Sequence, residues 1–130
     1  MSDPLVVLDA SALLALLQNE PGAEVVASRL PQCVMSAVNF SEVVAKLADH
    51  GLPEADLRAA LEVLGIAVRG FDLEAAYAAG ELRRSTRDAG LSLGDRACLG
   101  LAMHLGAVAV TADRGWAPLA SGRLRVELIR

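Results

Sequence analysis

The sequence predicts an α/β fold: a central, mostly parallel sheet of about five strands with helices on both faces. Three observations carry this. Short β-rich apolar runs alternate with helical patterns along the chain. The first run, LVVL at 5–8, is apolar at every position, as in a strand buried on both faces. The length of 130 residues, 54% of them apolar, suits one domain over 1–130 with a single packed core.

The elements follow in order. After the strand at 5–8, ASALLALLQ at 10–18 switches to a helical pattern. Pro21 suits a first helical turn, so 21–30 reads as a second helix. CVM at 33–35 is a short strand. NFSEVVAKLADH at 39–50 forms a helix that stops at Gly51, with His50 unremarkable at its C-terminal end. Pro53 opens another helix, which stops at Gly65, and IAV at 66–68 is a strand. Asp72 caps a long helix through Arg87 and Asp88 that ends at Gly90. Residues 92–105 make a further helix ending at Gly106. VAV at 108–110 is a strand, and VELI at 126–129 is a last edge strand.

Composition narrows the possibilities. A formal net charge of −4 gives no overall basic field to draw in nucleic acid, though a local site is still allowed. Of the 12 basic residues only Lys46 is a lysine, and the arginines gather in the second half. Arginine's planar donor fork matches phosphate, although any one of them can equally be part of a solvated helix face. Cys33 and Cys98 sit in apolar surroundings and read as buried free thiols. With His50 and His104 they show no zinc-ligand spacing. Asp3 and Pro4 precede an apolar run of only four, which is not a secretory leader. The longest uncharged stretch, 97–112, is shorter than the ~20 residues a membrane span needs. The expectation is a soluble, cytoplasmic protein with no membrane partner.

Four acids stand out by position. Asp9 and Asp113 fall just past strand C-termini, where ligands bind in open parallel sheets. Glu42 follows Asn39 by three residues, and Asp95 follows Ser92 by three, so each has a plain explanation as half of a capping pair. Asp9 has one as a helix cap and Asp113 as a turn residue. A single alternative covers all four, namely convergence on one rim. Helix N-termini favour anions by about 0.3–1 kcal/mol each, which does not offset four close carboxylates. Such a cluster raises a pKa or recruits a cation, and an all-oxygen set suits Mg²⁺ or Mn²⁺. Those ions activate water and neutralise phosphate in in-line displacement. Other chemistries that place an acid after the first strand fit less well. There is no Asp-x-Asp (residue 11 is Ser), no Lys after 46, no Gly-x-Gly-x-x-Gly or Gly-Lys-Ser/Thr, and no Gly-x-Ser-x-Gly.

Four stretches carry a resemblance: VVLDASALLALL with EPGAE just after (6–17, 20–24), SAVNFSEVVAKL (36–47), LSLGDRACLGLAMHLGA (91–107) and VAVTADRGWAPL (108–119). In that order they resemble a PIN-domain protein, and more narrowly a VapC-type toxin of a bacterial toxin–antitoxin pair. The resemblance implies a PIN-like three-layer α/β/α fold and Mg²⁺- or Mn²⁺-dependent cleavage of RNA by water. It makes Asp9, Glu42, Asp95 and Asp113 the catalytic, metal-binding quartet. Asp9 and Asp95 are then the principal ligands, with Glu42 and Asp113 ligating through water or orienting it. Ser11 and Thr111 match hydroxyls that support the ligands by hydrogen bonds. Arg96 or Arg114 would touch substrate phosphate, Arg96 being equally explained as the solvated partner of a nearby acid. Trp116 reads as a packing residue rather than a base-stacking one.

The same resemblance implies a homodimer and a small VapB-like antitoxin. The helices at 39–50 and 53–64, joined by Gly51-Leu52-Pro53, should pack antiparallel and offer an apolar groove to an amphipathic helix bearing an Arg. A housekeeping PIN nuclease without an antitoxin is the alternative within the enzyme class. A non-catalytic RNA-binding domain of the same fold is the alternative outside it.

Overall fold

In the computed structural model, which describes residues 4–130, five parallel strands form one sheet in the order β3-β2-β1-β4-β5. Asp3, part of the acidic start noted above, lies outside the described residues. The strands are β1 (Val6–Leu8), β2 (Cys33–Ser36), β3 (Ala67–Arg69), β4 (Val108–Thr111) and β5 (Val126–Leu128). The helices are α1 (Ala10–Leu17), α2 (Ala23–Arg29), α3 (Ala37–Asp49), α4 (Glu54–Glu62), α5 (Leu73–Thr86) and α6 (Leu93–Leu105). All four strand pairings are parallel, so the sheet is wholly rather than mostly so among the described residues.

Alternation along the strands divides the core in two. Val6, Leu8, Cys33, Met35 and Val110 join Leu13, Val26, Val43, Leu57 and Leu61 on the face covered by α1 to α4. Val7 and Ala109, one residue out of phase, join Leu82, Cys98, Leu99, Ala102 and Trp116 on the face covered by α5 and α6. Period-2 side-chain alternation in β1 and β4 therefore feeds both layers, and the result is α/β/α. Trp116 is 1% exposed and packs in the second layer, as its reading from the sequence required. Cys33 and Cys98 are both buried free thiols.

Three helix boundaries differ from the sequence reading. Pro21 does not enter the second helix, which begins at Ala23 after Gly22. Gly22 sits at φ +98°, and a Cβ there would lie 2.7 Å from the Ile129 carbonyl oxygen, so only glycine lets this turn meet the end of β5. The helix drawn to Gly65 stops at Glu62. The helix drawn from Asn39 begins at Ala37, because Ser36 leaves β2 in an extended conformation and its hydroxyl accepts from the Val38 N–H at 3.2 Å.

Candidate active site

The register of β1 on β4 builds the rim. Leu8 pairs with Val110, so Asp9 and Thr111, 102 positions apart, emerge side by side. The Asp9 N–H continues the ladder to the Val110 carbonyl at 3.1 Å. Asp9 is only 5% exposed. As N-cap of α1 its Oδ1 accepts from the Ala12 N–H at 2.9 Å. Thr111 Oγ1 donates to Oδ2 at 2.5 Å, and Ser11 Oγ lies 2.8 Å and 2.9 Å from the two carboxylate oxygens. Ser11 also accepts from the Ala112 N–H at 2.9 Å. Both hydroxyls sequence reading singled out thus hold the same carboxylate. Burial still dominates: it pushes the Asp9 pKa above the ordinary value against the Thr111, Ala12 and Ser11 donors, and the charge of Asp95 pushes the same way.

Asp95 is half-buried at the third position of α6. Its capping box with Ser92 is present in full, Asp95 Oδ2 accepting from the Ser92 N–H at 3.0 Å and Ser92 Oγ from the Asp95 N–H at 3.2 Å. The plain explanation of Asp95 therefore holds together with its place on the rim, because capping uses only one of its oxygens.

The plain explanation of Glu42 does not hold. With α3 starting at Ala37, Asn39 is inside the helix and Glu42 lies past the capping positions. Asn39 turns inward instead, donating from Nδ2 to Glu42 Oε1 at 3.1 Å and to the Gly94 carbonyl at 2.9 Å. The Cys98 thiol, fully enclosed one turn into α6, reports the shared location. Burial pushes its pKa far up, and the charges of Asp9, Asp95 and Glu42 add to the effect. Asn39 is the site residue that sequence reading missed, since an Asn three residues before a Glu looks like a cap.

Asp113 caps its own turn. Its N–H donates to Thr111 Oγ1 at 3.0 Å, and its exposed carboxylate accepts from the Gly115 N–H at 2.8 Å, capping the 3₁₀ turn Arg114–Leu119. Arg114 beside it is exposed. Arg96, read from the sequence as a phosphate contact or as the partner of a nearby acid, donates from Nη1 to the Ala79 carbonyl of α5 at 3.0 Å, and its Nε is buried without a hydrogen-bond partner. α5 packs against α6, which brings the Ala79 carbonyl within reach of this side chain.

The rim lacks cationic company. The ion pairs among the described residues are Arg29–Glu127, Arg58–Glu54, Arg84–Glu81 and Arg130–Glu20, none of which involves its acids. Nor, among the described residues, do three His, Cys, Asp or Glu side chains come close enough together to enclose a metal ion. An oxygen-only set of spaced carboxylates around a buried, uncompensated acid fits a hard cation that keeps several of its waters, as Mg²⁺ does on one or two carboxylates.

Fold and rim together define an α/β/α domain with Asp9 buried at the C-terminal edge of a parallel sheet and no ion pair to any of the four acids among the described residues. The chain belongs to the PIN-domain family, whose model matches residues 6–121. A comparison with curated protein sequences returned no match. Solved structures of similar fold include the DNA-bound VapBC from Salmonella typhimurium, with a TM-score of 0.75 and 19% identity over 98% of this chain and 100% of that one. VapBC-1 from nontypeable Haemophilus influenzae gives a TM-score of 0.72 and 22% identity over 96% of this chain and 98% of that one. PAE2754 from Pyrobaculum aerophilum gives 0.62 and 22% over 95% and 89%. At these identities the likeness is one of fold.

Proposed function

We propose that the chain is a Mg²⁺- or Mn²⁺-dependent endoribonuclease, the toxin of a toxin–antitoxin pair. The observation that supports this best is Asp9: a carboxylate 5% exposed, given three hydrogen-bond donors but no cation, within the electrostatic reach of Asp95. Asp9 and Asp95 would hold the ion, with Glu42 and Asp113 contributing through water. When bound, the ion supplies activation of the attacking water and neutralisation of charge on the phosphate. The protein's own residues do the rest. Ser11 and Thr111 hold the Asp9 carboxylate in one orientation through their hydrogen bonds. Glu42, held by Asn39, would orient the attacking water. Arg114, exposed next to Asp113, would touch substrate phosphate.

The partner reading rests on a second observation. Between α3 and α4 runs a cavity of about 460 Å³ lined by Phe40, Val44, Ala48, Leu52, Leu57 and Leu61, edged by Glu54, Arg58 and Glu62. Phe40, Val44 and Ala48 form an i, i+4 ladder on the helix that carries Glu42, so an amphipathic helix lying there would lead toward the acids. Solved structures of similar fold include a toxin–antitoxin complex from Klebsiella pneumoniae, and a small VapB-like antitoxin is the occupant proposed here. A homodimer is also proposed: Leu73 and Tyr77, one turn apart on α5, are 69% and 64% exposed. No helix among the described residues is long and apolar enough to cross a membrane.

The deciding experiment maps RNA ends after induced expression, with purified protein assayed in parallel. Cleavage should need Mg²⁺ or Mn²⁺ and should fall by orders of magnitude in Asp9→Asn and Asp95→Asn variants that melt as cooperatively as wild type. Undiminished cleavage in EDTA would sink the mechanism.

A further inference from the structure

We propose that Asn39 is a positioning residue for this reaction, an amide that clamps the Glu42 carboxylate against the bare Cα of Gly94 and so fixes it at the start of α6. The assignment rests on the nuclease reading of the rim. Asn39 is 1% exposed. Its Nδ2 lies 3.1 Å from Glu42 Oε1 and 2.9 Å from the Gly94 carbonyl oxygen. Both neighbours are acceptors, so chemistry requires the NH₂ end, not the oxygen, to face them. One amide thus commits both hydrogens to the joint between α3 and α6. Its other end has no such use: Oδ1 is buried with no hydrogen-bond partner. Native cores rarely tolerate an unsatisfied buried acceptor without a reason. Packing alone supplies none, since an apolar side chain of similar size would fill the space with no orphaned atom.

Gly94 forms the opposite wall. A Cβ built on it would lie 2.6 Å from Glu42 Oε1 and 2.7 Å from Cδ. Gly94 is helical and lies outside the positive-φ set, so the backbone does not call for glycine there. Glycine is also a poor helix former. What calls for it is the room taken by the carboxylate. That carboxylate is the far end of a flexible side chain, so a methyl group at 94 would dislodge it and leave the helices where they are. Glu42 is otherwise exposed, and no cation among the described residues restrains it. Unclamped, it would spread over several rotamers; clamped, it is in place before substrate arrives.

The test uses Asn39→Ala, Gly94→Ala, Glu42→Gln and the two doubles with Glu42→Gln. Mn²⁺ affinity is measured by calorimetry with the metal alone. kcat and KM are measured on an RNA oligonucleotide, and melting is followed in EDTA. Asn39→Ala and Gly94→Ala should each lower Mn²⁺ affinity or kcat by about tenfold to a hundredfold, as loss of a ligand's supporting partner does, with KM unchanged. Neither should add to the loss in Glu42→Gln, because each acts through that carboxylate. Gly94→Ala should melt like wild type in EDTA, which separates the effect from misfolding. Wild-type kcat and Mn²⁺ affinity in Gly94→Ala, or losses that multiply with Glu42→Gln, would overturn the assignment alone. A wild-type protein that neither binds Mn²⁺ nor cuts RNA overturns the nuclease reading and this assignment with it.

Discussion

Replacing Thr111 by Val removes one hydroxyl from a position with no solvent exposure and changes little else in shape. That hydroxyl donates to Asp9 Oδ2 at 2.5 Å and accepts from the Asp113 N–H at 3.0 Å. The folded-state pKa of Asp9 stands above its ordinary value through burial, and Thr111 is the strongest group opposing that rise. Losing it moves the pKa further up. A folded pKa above the unfolded one means that Asp9 favours the fold in acid, and that this contribution is lost as pH rises through the folded value. The variant deepens that loss. A hydrogen bond to an ionised group is worth about 1.5–3 kcal/mol. For a 130-residue chain this corresponds to about 5–11 °C in melting temperature. Below the ordinary carboxylate range Asp9 is neutral in both states. Only neutral hydrogen bonds are then at stake there, at about 0.5–1.5 kcal/mol each. Urea unfolding of wild type and Thr111→Val in EDTA, from about pH 8 down to about pH 4, spans the carboxylate range. The stability difference should shrink steadily as pH falls. A difference that is constant with pH, or larger in acid, would refute the account of Asp9.

Three further outcomes are expected. Mn²⁺ at a hundred times its Kd should stabilise the wild type by about 2.7 kcal/mol and Asp95→Asn by far less; melting curves of the wild type that are identical in EDTA and in Mn²⁺ would argue against a metal site. Arg114→Ala should raise KM for RNA without shifting the melting temperature, whereas Arg96→Ala should lower the melting temperature by stripping the Ala79 carbonyl of a donor, and the reverse pattern would exchange their roles. Val44→Asp, which puts a charge on the apolar wall of the α3–α4 cavity, should abolish co-purification with the product of a co-expressed neighbouring reading frame and spare RNA cleavage; unchanged co-purification would place the partner elsewhere.

What could be read from the chain depended on whether a residue's role is set by its own backbone. Asp9 and Asp113 were legible because a strand that stops at an acid marks the ligand edge of a parallel sheet. Ser92 and Asp95 were legible because a capping box is local. The capping explanation of Glu42 failed because the start of its helix was misread. Ala37 and Val38 continue the apolar run of β2, so the helix seemed to begin at Asn39, whereas Ser36 is at once the last strand residue and the cap. Once that boundary moves, Asn39 lies inside a helix, and its partner is a carbonyl 55 residues away that no local pattern reveals. Arg96 shows the same limit: its sequence neighbour is an acid, but its partner is the backbone of α5. Strand–helix alternation indicated a mostly parallel sheet of about five strands, and all four pairings proved parallel.

The bond between Thr111 and Asp9 also orders events in time. Its ends are 102 residues apart, and β1, in the middle of the sheet, has to wait for β4 before one of its edges is paired. Contacts of such long separation form late, after the cost of closing the intervening loop has been met. On the ribosome the acidic rim therefore cannot exist until residue 113 has emerged. A nascent chain carrying Asp9, Glu42 and even Asp95 still lacks the strand that holds the first of them in place. Whatever chemistry the rim performs, this topology delays it until β4 has been made and has paired with β1.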